Sequence, residues 1–297
     1  MIRRALRYMP VLLLGRPWRG PERYRPFFII GSGRCGSTLL RAILQTHPDV
    51  HIPPETPLAF ALRSYRRFSR LPWSVLLRIV LTEFEFHPQW EMFELPLGPL
   101  FRESVRWPPE RRNLAAVLDA LYRAHAKAHK PSAICWGDKA PAHSTFLLPL
   151  LEAVFPDLRA IHLVRDGRDV VASFARLAPH SFSTWAGHWV QSVRAAQAFG
   201  TDHPAQYLEI RYEDLVSTPE LIVRKVAAFL DLAFDERMLR HSDSNQWLGD
   251  VDRVEYLKGA RQPIHQASVG RWREDLSASQ IAELDRVLGP MLAALGY

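Results

Sequence analysis

The 297-residue sequence has only two cysteines, Cys35 and Cys135, and neither has a second cysteine or a histidine at the spacing of a metal site. Two cysteines do not make a disulfide framework, so the sequence predicts a protein of a reducing compartment. It has no run of about 18 apolar residues, which excludes a membrane-spanning helix. Internal repeats and low-complexity tracts are also lacking. These absences favour a globular cytoplasmic protein without a bound metal.

The first 25 residues form a basic N-terminal segment. Arginines precede a short apolar stretch at residues 11–14, but this stretch is too short for the hydrophobic region of a signal peptide, and no A-x-A cleavage site follows. We therefore expect that the protein is not secreted and that this segment makes a peripheral contact with a membrane surface.

The sequence carries 38 basic and 31 acidic residues, for a formal net charge of +7 at pH 7. This balance favours anionic ligands without identifying one. Zinc-ligand spacings, an RNP-type motif and a basic heptad region are all lacking, so nucleic acid is not expected as a partner.

Residues 27–56 contain the most informative pattern. The apolar run at residues 27–30 is short, β-favouring and followed by glycine, as expected of a buried parallel strand that leads into a tight turn. A glycine-bounded loop follows, and a helix is predicted to begin near Ser37, because apolar residues then recur at helical spacing. Free N–H groups, the helix dipole and the close approach that glycine allows favour a phosphate-like anion at this loop.

The loop has the Gly31-x-x-x-x-Gly36 spacing of a Walker A loop, but Ser37 stands where that motif has lysine. A nucleoside triphosphatase uses that lysine on its β- and γ-phosphates. The fixed cation of this loop is Arg34, inside the turn. The loop is therefore predicted to bind an anion in a way that differs from a Walker A loop.

Strands and helices alternate through the rest of the chain. Further strands are predicted at residues 133–136, 160–164 and 207–210, and each is followed by a helical pattern. This order is typical of an α/β fold with a parallel sheet, helices on both faces and ligands outside the carboxyl ends of the strands. Residues 57–130 carry helical patterns broken by prolines and are interpreted as a helical insertion. We predict one domain over residues 26–297 with a P-loop-type, three-layer fold.

Two helix starts are predicted from their residues. Thr218 and Pro219 are typical of the N-cap and first helical positions, and Ser277 with Gln280 forms a capping box. The last helix, which follows the capping box, is interpreted as core packing.

The loop, with arginine inside the turn and small hydroxylated residues after Gly36, resembles the 5′-phosphosulfate loop of sulfotransferases that use 3′-phosphoadenosine 5′-phosphosulfate (PAPS). Its continuation, RAILQTHPDV followed by Glu55-Thr56, is similar to the tyrosylprotein sulfotransferases and related bacterial enzymes. The resemblance covers about residues 27–297 and is weakest over the insertion, which would lie on the acceptor side. It implies a metal-independent enzyme that moves the sulfonate of PAPS to a hydroxyl of a small metabolite, glycan, lipid or tyrosyl group.

The resemblance implies catalytic roles for three residues. Arg34 would hold the 5′-phosphosulfate, Glu55 would be the general base for the acceptor hydroxyl, and Lys139 would lie beside the sulfonate. Cytosolic sulfotransferases instead use a histidine in a K-x-H-x-P segment. Here Pro141 occupies that place, so His143 is kept only as a second candidate base.

The resemblance also implies a set of donor-binding residues. The stretch RDGRDVVAS is similar to the 3′-phosphate motif, residues 270–272 resemble a loop that covers the adenosine bisphosphate, and Lys258 and Arg261 are assigned to the same lid. Arg168 and Asp169 are interpreted as local contacts at a helix start. The predicted donor-binding residues are Gly33, Arg34, Cys35, Gly36, Ser37, Thr38, Arg165, Ser173, Tyr212, Gly270, Arg271 and Trp272.

Position alone supports simpler interpretations of the same side chains. By position alone, Glu55 is an acidic residue near a helix N-terminus. Lys139 is a solvated lysine at a turn, and Arg165 is part of a surface ion pair. Two other functions also stay open. One is a P-loop kinase or nucleotidase, and the other is a non-catalytic scaffold that binds adenosine 3′,5′-bisphosphate.

Overall fold

The computed structural model describes residues 15–139, 144–177, 182–244 and 248–297, so His143 and residues 1–14 of the basic segment lie outside it. Five strands form one sheet in the order β2-β3-β1-β4-β5, and every pairing is parallel. The predicted α/β fold with a parallel sheet is confirmed. The strands are β1 (Phe27–Ile30), β2 (Val50–His51), β3 (Cys135–Lys139), β4 (Arg159–Val164) and β5 (Tyr207–Arg211).

Helices connect the strands and follow the last one. Within the described ranges these are α1 (Ser37–Gln45), α2 (Leu58–Phe68), α3 (Trp73–Glu85), α4 (Leu97–Ser104), α5 (Leu114–His129), α6 (Leu148–Val154), α7 (Gly167–Ala175), α8 (Phe182–Asp202), α9 (Tyr212–Ser217), α10 (Pro219–Phe229), α11 (Asp250–Arg253), α12 (Trp272–Asp275) and α13 (Ala278–Leu295). Four of them, α2 to α5, occupy the connection from β2 to β3. None of the helices in the described ranges is long and apolar enough to cross a membrane.

The side chains of β1 alternate between the two faces of the sheet, as the period of a strand requires. Phe28 and Ile30 pack in a core with α2 to α5, whereas Phe27 and Ile29 pack in a second core with α1 and α10. A third core joins α7, α8 and α13. Because both faces of the sheet are covered, the carboxyl ends of its strands are the part left open to a ligand.

The structure corrects some predicted boundaries. The strand predicted at residues 133–136 is found at Cys135–Lys139, because Asp138 and Lys139 are buried strand residues rather than a turn. Strand β2 has only two residues and carries no periodic signal. Thr218 precedes α10 as predicted, but its hydroxyl donates to the Asp214 carbonyl and does not cap the helix. The capping box at the start of α13 is confirmed.

Candidate active site

The carboxyl ends of the five strands, or the segments that follow them, supply much of the lining of one cavity of about 520 Å³. The anion loop follows β1, Lys139 is the last residue of β3, Arg165 and Tyr212 come directly after β4 and β5, and Glu55 lies just beyond β2. The carboxyl ends of parallel strands meet at one edge of a sheet. The topology therefore gathers side chains that are far apart in the sequence.

The anion loop depends on backbone conformations in the left-handed region. Gly33, Arg34 and Gly36 have φ angles of 77°, 54° and 94°. A Cβ on Gly36 would lie 2.4 Å from the ring of Tyr212, so only glycine fits there. No side chain caps the following helix α1, and its first N–H groups are therefore available to an anion.

Arg34 connects the anion loop to helix α7. Its Nε donates to Ser173 Oγ at 2.9 Å, and its guanidinium carbon lies 5.2 Å from the ring centre of Tyr256. Burial lowers the pKa of Arg34, and the positive charge of Arg165 lowers it further. An anion bound in the cavity would relieve the repulsion between these two cations.

Arg165 is only 9% exposed and contacts mainly backbone oxygens. It donates to the Arg34 carbonyl at 3.1 Å and to the Ser268 carbonyl, and a carboxylate oxygen of Asp169 lies 3.6 Å away. Its buried Nε has no hydrogen-bond partner within the described part of the chain. Arg165 therefore retains a free donor and an incompletely neutralised charge.

Glu55 and Lys139 form an ion pair at the edge of the cavity. Lys139 Nζ donates to Glu55 Oε1 and, at 3.3 Å, to Thr38 Oγ1. The side chain of Lys139 is 1% exposed and that of Glu55 is 39% exposed. Lys139 is thus not a solvated turn lysine: it is a fixed cation between the anion loop and an accessible carboxylate.

Three buried side chains, those of Thr56, Tyr122 and Asp138, are in polar contact beside this ion pair. Asp138 Oδ2 accepts hydrogen bonds from Thr56 Oγ1 at 2.8 Å and from Tyr122 OH at 2.6 Å, and the two hydroxyl oxygens lie 3.0 Å apart. Burial raises the pKa of Asp138 from 3.8 to about 6, against the lowering effect of the two hydroxyls. The sequence pattern gave Asp138 no role, since it was interpreted as part of a turn.

Replacement of Asp138 by Asn is expected to change how stability depends on pH. A carboxyl with a raised folded-state pKa stabilises the fold below its unfolded value, and this contribution is lost as the pH rises from 3.8 to about 6. Asparagine does not ionise, so the unfolding free energy of the variant relative to wild type should rise by up to about 3 kcal/mol between about pH 4 and pH 7. Urea denaturation at both pH values measures this difference. A difference that does not change with pH would contradict the expectation.

Some of the predicted donor-binding residues lie outside the cavity lining. These are Cys35, Ser173, Gly270, Arg271 and Trp272. Cys35 is 1% exposed, and its burial raises the pKa of the thiol, which fits a loop-filling residue. Ser173 is 5% exposed, and its Oγ accepts the hydrogen bond from Arg34 Nε.

Asp169, in helix α7, holds residues 270–272 through hydrogen bonds to their backbone. Its two carboxylate oxygens accept hydrogen bonds from the backbone amides of Gly270 and Trp272, at 2.8 Å each. Arg271 lies 3.4 Å from Asp275. Asp169 therefore makes long-range contacts and is not limited to the local helix-start role that its position indicates, whereas Arg168 pairs with Asp166 as expected.

Residues 256–268 supply one wall of the cavity, and most of this wall was not predicted from the sequence. Lys258 and Arg261 were assigned to this lid, but they bond to Glu255 and to the Ser244 carbonyl and do not line the cavity. No motif marks the residues that do line it, because most are apolar or small. They are Tyr256, Leu257, Gly259, Ala260, Pro263, His265 and Ser268.

The cavity contains anion-binding groups and a carboxylate, and no cluster of three or more His, Cys, Asp or Glu able to hold a metal occurs in the described ranges. These groups are suited to the transfer of an anionic group to a nucleophile. The loop, two arginines and the lysine can bind the anionic group, and the carboxylate can take the proton that the nucleophile loses.

Residues 26–236 match the model of the sulfotransferase family. The chain is 24% identical over 294 residues to protein-tyrosine sulfotransferase A of Caenorhabditis elegans, which covers 94% of this chain and 69% of that protein. It is 26% identical over 304 residues to nodulation protein NoeE of Sinorhizobium fredii, which covers 91% of this chain and 65% of that protein. The solved sulfotransferase domain of the Synechococcus PCC 7002 olefin synthase has a TM-score of 0.63 and 25% identity, over 92% of this chain and 98% of that domain. Because the matched region spans most of the chain and includes all five strands with the anion loop, this chain belongs to the sulfotransferase family.

Proposed function

We propose that this sulfotransferase takes its sulfonate from PAPS and transfers it to an acceptor hydroxyl, with Glu55 as the general base. The observation that carries the proposal is the convergence of Glu55 with Arg34, Lys139 and Arg165 on one cavity beside a glycine loop. Three cations offset the charge of an anionic donor, and the one carboxylate among them is accessible and can accept a proton.

The residues present fit the two anionic ends of PAPS. The loop passes through Gly33, Arg34 and Gly36 in left-handed conformations and leads into a helix start that no side chain caps, so backbone N–H groups are available there to one anion. The buried, unpartnered Nε of Arg165 is a donor for a second anion. We assign the 5′-phosphosulfate to residues 33–38 and the 3′-phosphate to Arg165 and Ser173. Tyr212 and residues 270–272 stay predicted donor contacts.

The PAPS molecule would supply a sulfonate whose transfer breaks the bond between sulfur and the oxygen of the 5′-phosphate. Glu55 would take the proton of the acceptor hydroxyl as the acceptor oxygen bonds to sulfur, and would release that proton to solvent through its exposed side. Lys139 would hold positive charge beside the transferring group, and Arg34 would stabilise the charge left on the 5′-phosphate. The products are the sulfated acceptor and adenosine 3′,5′-bisphosphate.

The acceptor carries a hydroxyl group. Tyrosyl peptides belong in an acceptor screen because of the name of the C. elegans relative, together with small metabolites, glycans and lipids. Helix α2 begins three residues after Glu55, so we place the acceptor on the side of residues 57–130. We also propose that the protein is cytoplasmic and that its basic N-terminal segment makes a peripheral contact with a membrane.

Adenosine 3′,5′-bisphosphate is expected to raise the melting temperature of the protein. A ligand at about 100 times its Kd adds about 2.7 kcal/mol to stability, which corresponds to about 5 °C for a chain of this size. ATP with Mg²⁺ lacks the 3′-phosphate and should give a much smaller shift. The melting-temperature shift with adenosine 3′,5′-bisphosphate should be smaller in Arg165→Ala than in wild type. It should stay at the wild-type value in Lys258→Ala, because Lys258 is an exposed cation that does not line the cavity.

Stabilisation by ATP with Mg²⁺ and not by adenosine 3′,5′-bisphosphate would favour a P-loop kinase or nucleotidase over PAPS use. Transfer of labelled sulfonate from PAPS to the acceptor screen then distinguishes an enzyme from a scaffold that only binds the nucleotide.

A further inference from the structure

A triangle of polar contacts between Thr56, Asp138 and Tyr122 lies beside the Glu55–Lys139 ion pair. Thr56 directly follows Glu55, and Asp138 directly precedes Lys139. Thr56, Asp138 and Tyr122 are 3%, 0% and 0% exposed, and none of them lines the cavity. They do not meet a substrate there, so any effect on the reaction passes through their neighbours.

Tyr122 connects the triangle to rigid elements. Its ring stacks on Trp136 of β3, with ring centres 4.1 Å apart and planes 3° apart, and the indole N–H of Trp136 donates to Asp119 at 2.8 Å. The Tyr122 hydroxyl is therefore held in place relative to the strand that ends in Lys139. Such support matters because a misplacement of about 1 Å costs up to about 100-fold in rate.

The chemistry of the triangle distinguishes it from apolar packing. Both hydroxyls donate to the same oxygen of Asp138, while Oδ1 is buried without a partner among the described residues. Hydrogen bonds to a carboxylate are about twice as strong as neutral ones, and loss of one inside a protein is costly. Thr56 is thereby tied to the end of β3, together with the loop that carries Glu55.

We propose that Asp138, Thr56 and Tyr122 are positioning residues that hold Glu55 in contact with Lys139, an inference that rests on the function proposed for this ion pair. Loss of the Thr56 hydroxyl breaks the link between the Glu55 loop and β3. Loss of the Tyr122 hydroxyl loosens that link, because Asp138 Oδ2 and Thr56 Oγ1 both lose the group that holds them in place. Lys139 then loses its carboxylate partner, and its ammonium group becomes accessible to solvent.

The first test needs neither donor nor acceptor. An amine-acylating reagent is applied to wild type, Tyr122→Phe and Tyr65→Phe, and mass spectrometry measures the labelling rates of Lys139 and Lys130. Tyr65 is the matched control, since it is also 0% exposed and its hydroxyl donates to the Pro17 carbonyl at 2.7 Å. Lys130 is the internal reference, because it is 7% exposed and bonds to the carbonyls of Gln45 and His47.

We expect the ratio of Lys139 to Lys130 labelling to rise about tenfold in Tyr122→Phe, as local opening replaces a fixed contact, and to stay at the wild-type value in Tyr65→Phe. Each variant loses one buried hydrogen bond, and the bond to the Asp138 carboxylate is the stronger of the two, so the global stability of both variants is measured beside the labelling. Equal labelling ratios in the three proteins would overturn the proposal.

The second test measures the reaction. Thr56→Val should lower kcat for sulfonate transfer about tenfold, whereas Thr56→Ser, which keeps the hydroxyl, should restore most of it. The Kd for adenosine 3′,5′-bisphosphate should stay at the wild-type value in both variants, because the donor-side cations are untouched. A wild-type kcat in Thr56→Val would also overturn the proposal. Failure of wild type to transfer sulfonate from PAPS would instead contradict the proposed function, and the labelling test would still decide the role of the triangle.

Discussion

Replacement of Glu55 by Gln is expected to lower kcat for sulfonate transfer about a thousandfold, within the usual range for loss of a general base. Glutamine has nearly the same size, but it does not accept the proton of the acceptor hydroxyl. Since the Glu55 side chain is 39% exposed, the variant should fold normally and bind adenosine 3′,5′-bisphosphate with the wild-type Kd. Steady-state kinetics and calorimetry measure the two quantities.

The matched control for this variant is Glu94→Gln. Glu94 has a side-chain exposure of 44% and pairs with Arg253 at 2.6 Å, so the same chemical change is made in a comparable ion pair away from the cavity. We expect kcat of the control to stay near the wild-type value. Turnover in Glu55→Gln that equals turnover in the control would remove Glu55 as the base.

Replacement of Arg34 by Ala is expected to lower kcat/KM about a thousandfold, because loss of one preorganised donor to a developing anion costs about 100- to 1,000-fold and donor binding weakens as well. Arginine and alanine both carry a Cβ, so the strain of the left-handed φ of 54° is the same in both proteins. The effect therefore reports on the guanidinium group. Kinetics with PAPS as the varied substrate measures it.

Arg176→Ala is the control for charge alone. The positive charge of Arg176 acts on Arg34, but its side chain is 49% exposed, pairs with Asp275 at 3.0 Å and does not line the cavity. Its removal should change kcat/KM less than about threefold, since solvent screens an exposed charge. Equal losses in the two variants would show that Arg34 acts only through net charge.

Local patterns were sufficient to predict much of the fold. The apolar run at residues 27–30 coincides with β1, and α1 begins at Ser37 as predicted. These signals are local, because strand and helix periods are set by the backbone. The end of β3 was predicted wrongly because Asp138 and Lys139 are polar. Their burial depends on Tyr122, Thr56 and Glu55, which are remote in the sequence.

The site was predictable only in part. Arg34, Glu55, Lys139, Arg165 and Tyr212 were predicted for one site, and the structure brings them together around one cavity. Their catalytic and donor-binding roles stay predictions. The cavity wall at residues 256–268 was not predictable, because apolar lining residues leave no pattern in a sequence. The triangle of Thr56, Asp138 and Tyr122 was not predictable either, because it depends on tertiary hydrogen bonds.

The sequence by itself determined that the chain has an anion loop at a strand–helix junction, with Arg34 in the turn and serine in place of the Walker lysine. It did so because the spacing of glycines and the apolar periods on either side are local properties. Only the tertiary structure decided that Lys139 is a buried cation paired with Glu55 and that Asp138 supports both. The physical reason is that the burial and charge of these groups depend on which strand ends the parallel sheet places side by side.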